Sequence, residues 1–376
     1  MICLKELPGA GGYKRRMDEA VAKYLHARVP RYTSYPTAPH FSAAVGEAAL
    51  RSWFGDLPGN ARLSLYLHIP FCRKMCWYCG CNMKLAARYQ PIAAYVGRLI
   101  EEIHLVADAL PGRLSVRHIH WGGGTPTTLS PQDFARVDDA LRRRFTITED
   151  AEIAVEIDPR TLTLETVEAL ARMGCNRASL GVQEFDEGVQ RAINRVQPFE
   201  TVARATGWLG DQGIGAINFD LMYGLPQQTA AMLARTVGKA VSLSPSRIAL
   251  FGYAHVPWMA KNQRMMDDDA LPDAEARFEM SQAAGDLIEG LGYQRIGIDH
   301  FARPDDSLAA AARSGASRQP RVPADCGAIS KATPPTIPVR CSDWAPARSR
   351  PCRKAMRRIS WRQAPICAPS AKAAYP

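Results

Sequence analysis

The amino-acid sequence predicts an α/β fold: six βα units in succession, their strands forming a parallel sheet that curves as an open or partial (β/α)6 barrel. Two observations carry this expectation. Between about residues 63 and 297, strand-like runs alternate with helix-length amphipathic runs, the pattern that βα units leave in a sequence. Within several strand-like runs, polar and apolar residues alternate, so one face suits covering helices and the other ends in a polar group. A chain of 376 residues, 47% of them apolar, can bury a substantial core as one large domain or two smaller ones. A doubly wound sheet stays open as an alternative, because periodicity does not fix how a sheet closes.

Residues 1–60 read as an N-terminal arm. It holds a short amphipathic stretch at residues 17–27 and then the segment Arg31-Tyr-Thr-Ser-Tyr-Pro-Thr-Ala-Pro39, whose prolines rule out a long helix. Residues 61–315 form the barrel domain, with strands expected at residues 63–69, 115–121, 152–157, 177–183, 216–221 and 247–252. In the first strand Ser64, Tyr66 and His68 share one face and Leu65, Leu67 and Ile69 the other. Glu152, Ala154 and Glu156 likewise oppose Ile153, Val155 and Ile157 in the third, and Asn218 and Asp220 oppose Ile217, Phe219 and Leu221 in the fifth. In a curved sheet Tyr66, His68, Glu156, Gln183 and Asp220 converge at the C-terminal mouth, where barrel active sites lie. Each of them alone is equally well read as a satisfied core polar group.

Residues 316–376 differ in character. They contain 10 Pro and no Leu, Glu, Phe, His or Asn, and no amphipathic period survives. Such a segment is expected to be disordered, since it lacks the apolar residues needed to offset ordering entropy. The abrupt change reads as a frame-shifted end of the coding sequence, with a natural basic tail as the alternative. The tail also holds the charge excess: 12 Lys+Arg against 2 Asp+Glu account for the net +10, leaving 35 of each sign in residues 1–315. A neutral body argues against a nucleic-acid groove. No apolar run is long enough for a membrane span and no secretory signal opens the chain, so a cytoplasmic protein is expected.

Of the 10 cysteines, Cys72, Cys76, Cys79 and Cys81 fall within ten residues, a grouping that suits metal better than disulfides in a chain without an export signal. The strand Tyr66-Leu-His-Ile-Pro70 runs straight into this group. Three thiolates spaced C-x3-C-x2-C, at Cys72, Cys76 and Cys79, can hold three corners of a [4Fe-4S] cluster and leave one iron open to an external ligand. Structural zinc normally takes two separated pairs, and no second pair follows here. The glycine run Trp121-Gly-Gly-Gly-Thr-Pro-Thr127 follows the second strand, where residues without Cβ let backbone approach a ligand closely. Turn formation is its blander reading. No Walker A, His-Glu-x-x-His or nucleophile-elbow pattern competes.

These motifs resemble the radical S-adenosylmethionine (SAM) superfamily, and within it the oxygen-independent coproporphyrinogen III oxidases. The resemblance runs from about residue 31 to 312. It includes Cys81, absent from the related haem-chaperone proteins, and the segments Glu156-Ile-Asp-Pro159, Ser179-Leu-Gly-Val-Gln183, Tyr223-Gly-Leu-Pro226 and Asp299-His-Phe-Ala302. It implies a partial radical-SAM barrel with a [4Fe-4S] cluster on Cys72, Cys76 and Cys79 and two SAM molecules. The first would be bound by Tyr66, Gly123, Glu156 and Ala254, and the second by Tyr78, Gly124, Thr125, Gln183, Arg195 and Asp220. The activity implied is decarboxylation of two propionates of coproporphyrinogen III to vinyl groups by a SAM-derived radical, without oxygen, in haem biosynthesis. Because the family continues past the region of resemblance with a mostly helical C-terminal domain that residues 316–376 do not resemble, weak or absent decarboxylase activity is expected of this chain. An external electron donor, a monomeric state and no nucleic-acid or membrane partner complete the expectation. A haem-chaperone protein is the alternative within the superfamily, and a zinc-dependent binding module the alternative outside it.

Overall fold

The computed structural model describes residues 45–314 together with Leu25. The expectations for residues 31–39 and 316–376 lie outside the described residues, as does that for residues 17–27 apart from Leu25. The last part of the arm forms α1 (Glu47–Gly55), which buries Leu50 and Phe54 in the main core.

From there the chain alternates as expected. The elements are β1 (Arg62–Ile69), β2 (Phe71–Cys72), β3 (Lys84–Leu85), α2 (Gln90–Asp108), β4 (Ser115–Gly123), α3 (Pro131–Arg144), β5 (Thr146–Ile157) and α4 (Leu164–Arg172). They continue as β6 (Arg177–Gln183), α5 (Glu187–Ala192), α6 (Phe199–Asp211), β7 (Ala216–Tyr223), α7 (Ala230–Ser242) and β8 (Arg247–Gly252). After a 3-10 turn (Lys261–Met265) come α8 (Ala274–Gly290), β9 (Gln294–Ile296), β10 (His300–Ala302) and α9 (Ser307–Arg313). Helix starts carry the side chains that satisfy orphan N–H groups: Ser130, Thr163 and Thr229 each accept a hydrogen bond from a backbone N–H in the first turn of α3, α4 and α7.

The strand order is β1-β4-β5-β6-β7-β8-β10-β9 in one eight-stranded sheet. The first six pair in parallel and in chain order. A doubly wound sheet would reverse direction at its first strand, so this succession settles the question for a singly wound, open partial barrel. β6 is buried along its whole length, its polar residues Ser179 and Gln183 included.

Four strands run beyond their expected bounds, β1 only by Arg62 at its start. β5 begins at Thr146, pairing with Ser115 of β4, although Thr146-Ile-Thr-Glu-Asp150 shows no apolar alternation. β4 extends to Gly123 and β7 to Tyr223. The hairpin β9–β10 was not foreseen; it adds antiparallel to β8 and covers what would be an open edge. A smaller cluster of Val189, Ile193, Leu225, Tyr253 and Met266 sits apart from the main core, with Trp77 and Tyr78 packed on it. It anchors the cysteine loop.

Candidate active site

β1 brings the chain to the C-terminal edge of the sheet, and the cysteine loop begins immediately after Pro70. Its neck is closed by β2 and β3, which pair Phe71 with Lys84 and Cys72 with Leu85. His68 Nε2 lies 3.0 Å from the Asn82 carbonyl at the loop's return, and Tyr95 donates to the His68 carbonyl at 2.6 Å. Burial lowers the pKa of the His68 imidazole, favouring its neutral form.

All the described cysteines are thiols. Burial pushes the Cys72 thiol up to about 12, and the neighbouring Cys79 and Cys76 add to the rise. The Thr125 hydroxyl sits 3.4 Å from its sulfur. A cation bound there would reverse this cost, since metal coordination deprotonates a thiol outright. Cys76 is buried and its sulfur receives two guanidinium groups, Arg160 Nη2 at 3.2 Å and Arg195 Nη1 at 3.4 Å. Both arginines pair with Asp158, at 2.7 Å and 3.4 Å. Burial alone would push the Asp158 carboxyl up, but Arg195 and Arg160 outweigh it and hold the group at about 2.

The glycine run lies against this loop. Gly124 N–H donates to the Ile69 carbonyl at 2.9 Å and Thr125 N–H to the Phe71 carbonyl at 2.8 Å. A Cβ on Gly124 would stand 2.7 Å from the Phe71 carbonyl oxygen and 2.9 Å from its nitrogen, so only glycine fits. Gly123 has φ +116°, a conformation L side chains rarely adopt. Its N–H donates to Glu156 Oε2 at 3.3 Å, while Glu156 Oε1 lies 3.3 Å from His120 Nε2. Tyr66 stacks on the His120 ring, with centroids 5.6 Å apart, and burial followed by the Glu156 charge raises its hydroxyl pKa. Tyr66, His68, Glu156 and the glycines are therefore one contiguous patch.

The remaining expected residues ring it. Gln183 ends β6 at φ 68° beside a register shift, and its Oε1 is buried with no hydrogen-bond partner among the described residues. Arg195 donates to the Gly181 carbonyl, yet its Nε has no partner there either. Asp220 accepts from Ser179 at 3.1 Å and Asn218 at 3.0 Å. Ala254 is exposed just past β8, and its carbonyl accepts from Gln263, which also donates to the Tyr78 carbonyl. Sequence reasoning assigned no role to Asp158, Arg160, His120, Asn262 or Gln263. Asp158 and His120 had a signal, lying next to the strand ends already singled out; Asn262 and Gln263 had none.

The residues fit a cluster with a bound cofactor. Three thiols share one loop, a glycine cradle lies beside them, and the buried Gln183 and Arg195 atoms at the rim want a partner. No three His, Cys, Asp or Glu side chains among the described residues converge as ligands of a single ion. A cubane asks for something else, because each thiolate binds its own iron.

A family model described as the radical SAM superfamily matches residues 66–240. The oxygen-independent coproporphyrinogen III oxidase of Bradyrhizobium diazoefficiens is 53% identical over 296 residues, which cover 79% of this chain and 66% of that protein. The oxidase of the same name from Escherichia coli is 42% identical over 298 residues, covering 79% and 65%. A solved structure of the Escherichia coli coproporphyrinogen III oxidase, described as a radical SAM enzyme, superposes with a TM-score of 0.74 at 40% identity, over 79% of this chain and 67% of that one. The chain thus spans just under two-thirds of the curated relatives it matches. A singly wound partial barrel whose first strand opens into a three-thiol loop defines the radical SAM class. Within that superfamily, the chain belongs to the family of the oxygen-independent coproporphyrinogen III oxidases.

Proposed function

We propose that this chain is an oxidoreductase that decarboxylates coproporphyrinogen III to protoporphyrinogen IX without oxygen, in haem biosynthesis. The observation that carries this reading is the three-thiol loop set against a glycine cradle at the mouth of the barrel, in a chain 53% identical to an oxidase of that name. When bound, a [4Fe-4S] cluster with one open iron and SAM supply an electron and a radical that takes hydrogen from a propionate side chain.

The chain's own residues bind, orient and exclude water. Cys72, Cys76 and Cys79 would hold three irons, and the guanidinium groups of Arg160 and Arg195 donate to the Cys76 sulfur. Tyr66, Gly123, Glu156 and Ala254 orient a first SAM. Here Glu156 accepts from ribose hydroxyls or ammonium, and the close packing of Gly123 admits backbone contact. Tyr78, Gly124, Thr125, Gln183, Arg195 and Asp220 orient a second SAM, with Arg195 facing a carboxylate and Gln183 Oε1 free to accept. Residues 61–315 act as the catalytic unit, as a cytoplasmic monomer served by an external electron donor, without nucleic-acid or membrane partners. No helix among the described residues is long and apolar enough to cross a membrane.

Anaerobic reconstitution with iron and sulfide tests the reading. Replacing Cys72, Cys76 or Cys79 by Ala should abolish both the cluster spectrum and SAM cleavage, whereas Cys81→Ser should keep the cluster. Stoichiometric zinc in place of iron and sulfide would falsify the assignment.

A further inference from the structure

The 3-10 turn Lys261–Met265 lies far along the chain from the cysteine loop, yet its inner side is fastened to that loop. Asn262 Nδ2 lies 3.2 Å from the Cys76 carbonyl, 3.0 Å from that of Trp77 and 2.8 Å from that of Cys79. The next residue, Gln263, is buried and donates through Nε2 to the Tyr78 carbonyl at 2.9 Å and the Ala254 carbonyl at 3.2 Å. Its Oε1 accepts from the Val256 N–H at 2.6 Å. Two consecutive side-chain amides therefore hold all four carbonyls between Cys76 and Cys79.

An amide nitrogen is the one end of Asn262 that chemistry allows here. Its two hydrogens are shared among three acceptors, whereas the amide oxygen would face three carbonyl oxygens and be repelled. The turn these carbonyls belong to is closed by a weak bond of its own, Cys79 N–H to the Cys76 carbonyl at 3.3 Å. On its other side the loop is held at its start by Asn194, which donates to the Met75 carbonyl at 2.8 Å, and by the Trp77 N–H to the Ile193 carbonyl at 3.0 Å. The amides of Asn262 and Gln263 thus span Cys76 to Cys79 from outside the loop. That span sets the separation of two of the three thiols.

We infer that Asn262 and Gln263 are positioning residues for the cluster: they fix the Cys76–Cys79 turn so that its two thiolates stand at cluster spacing, and they neutralise the carbonyl dipoles that face it. This rests on the cluster reading above. Outer-shell groups of this kind orient ligands and tune the metal they hold. Amide N–H groups beside a cluster loop favour its more negative, reduced state; a carboxylate in the same place opposes it.

The test uses the full 376-residue chain, reconstituted anaerobically, with iron and sulfide content, the spectrum of the reduced cluster and its midpoint potential as readouts. Asn262→Asp keeps the side-chain shape, removes both donors and adds a negative charge. It is expected to bind iron about tenfold more weakly and to shift the midpoint potential negative. Asn262→Ala removes the donors without the charge and is expected to weaken iron binding with a smaller shift in potential. Circular dichroism melting of each variant without iron checks that the barrel still folds. Gln263→Glu, read the same way, extends the test to the second amide if Asn262→Asp melts early. A wild-type chain that takes up no iron and sulfide overturns the cluster reading and this inference together. A wild-type chain that does, matched by both Asn262 variants in iron affinity and potential, overturns this inference alone.

Discussion

Cys76 gathers the electrostatics of the site into a few side chains: its sulfur, two arginines and Asp158 form one buried group. The pH dependence of stability follows from it. Asp158 titrates at about 2 in the folded chain, against about 3.9 in an unfolded one. Because the folded value is the lower, its contribution is complete above roughly pH 4 and is lost as pH falls toward 2. The difference is worth at most about 2.6 kcal/mol. Urea midpoints of the wild type and Asp158→Asn should therefore draw together between pH 4 and pH 2.5; a constant separation would show that Asp158 is not held ionised by its arginines. Glu156 makes the second residue-scale prediction. Glu156→Ala should leave iron content normal and weaken SAM binding by about tenfold or more, the loss of a hydrogen bond to a charged group. Isothermal titration with SAM on the reconstituted protein checks this, and unchanged affinity would remove Glu156 from the cofactor site. That Tyr66 and Glu156 come together beside the glycine run was legible from strand alternation. Arg160 was not, because it lies past the strand end, and its proximity to Cys76 depends on a fold that brings together residues 84 apart.

Among the elements, the hairpin β9–β10 and helix α9 do what no expectation assigned them: they finish the sheet. Asp306 caps α9 through the Leu308 N–H at 2.8 Å and also pairs with Arg247 at 2.8 Å and Arg177 at 3.6 Å. One carboxylate thus ties the helix to the starts of β6 and β8. Asp306→Ala would leave two largely buried guanidinium groups short of a partner, a loss of about 3–5 kcal/mol. Thermal and urea melting measure it, and iron uptake well below the melting temperature should be unaffected since the site lies at the opposite end of the strands. A loss under about 1 kcal/mol would mean that Glu152, which pairs with Arg177 at 2.9 Å, is the stronger tie. The hairpin escaped sequence reading for a plain reason. Three-residue strands are too short to show alternation, and the positive-φ Gly292 and Gly297 that flank β9 read only as turns.

For the whole molecule, the order of strands predicts an order of opening. β6 is buried at every position between β5 and β7, whereas β9 is an edge strand and α1 precedes the strand at the other edge. Native-state hydrogen exchange should find the amides of β6 and β7 among the slowest and those of α1 and β9 among the fastest; uniform protection across the sheet would instead mark a single cooperative unit. The sequence by itself determined the six βα units, the bounds of β6 and β8 to the residue, the cysteine loop at the end of β1 and the glycine cradle after β4. Each of these is local: a period, a spacing or a residue without Cβ states it within a dozen positions. Only the tertiary structure decided that the sheet is singly wound and open, that Arg160 and Arg195 meet at Cys76, and that Asn262 and Gln263 reach back to the cysteine loop across more than 180 residues. Those contacts depend on which strand lies beside which. Strand order is set by the packing of helices on the sheet, a sum of many weak and distant interactions that leaves no mark at any one place in the chain.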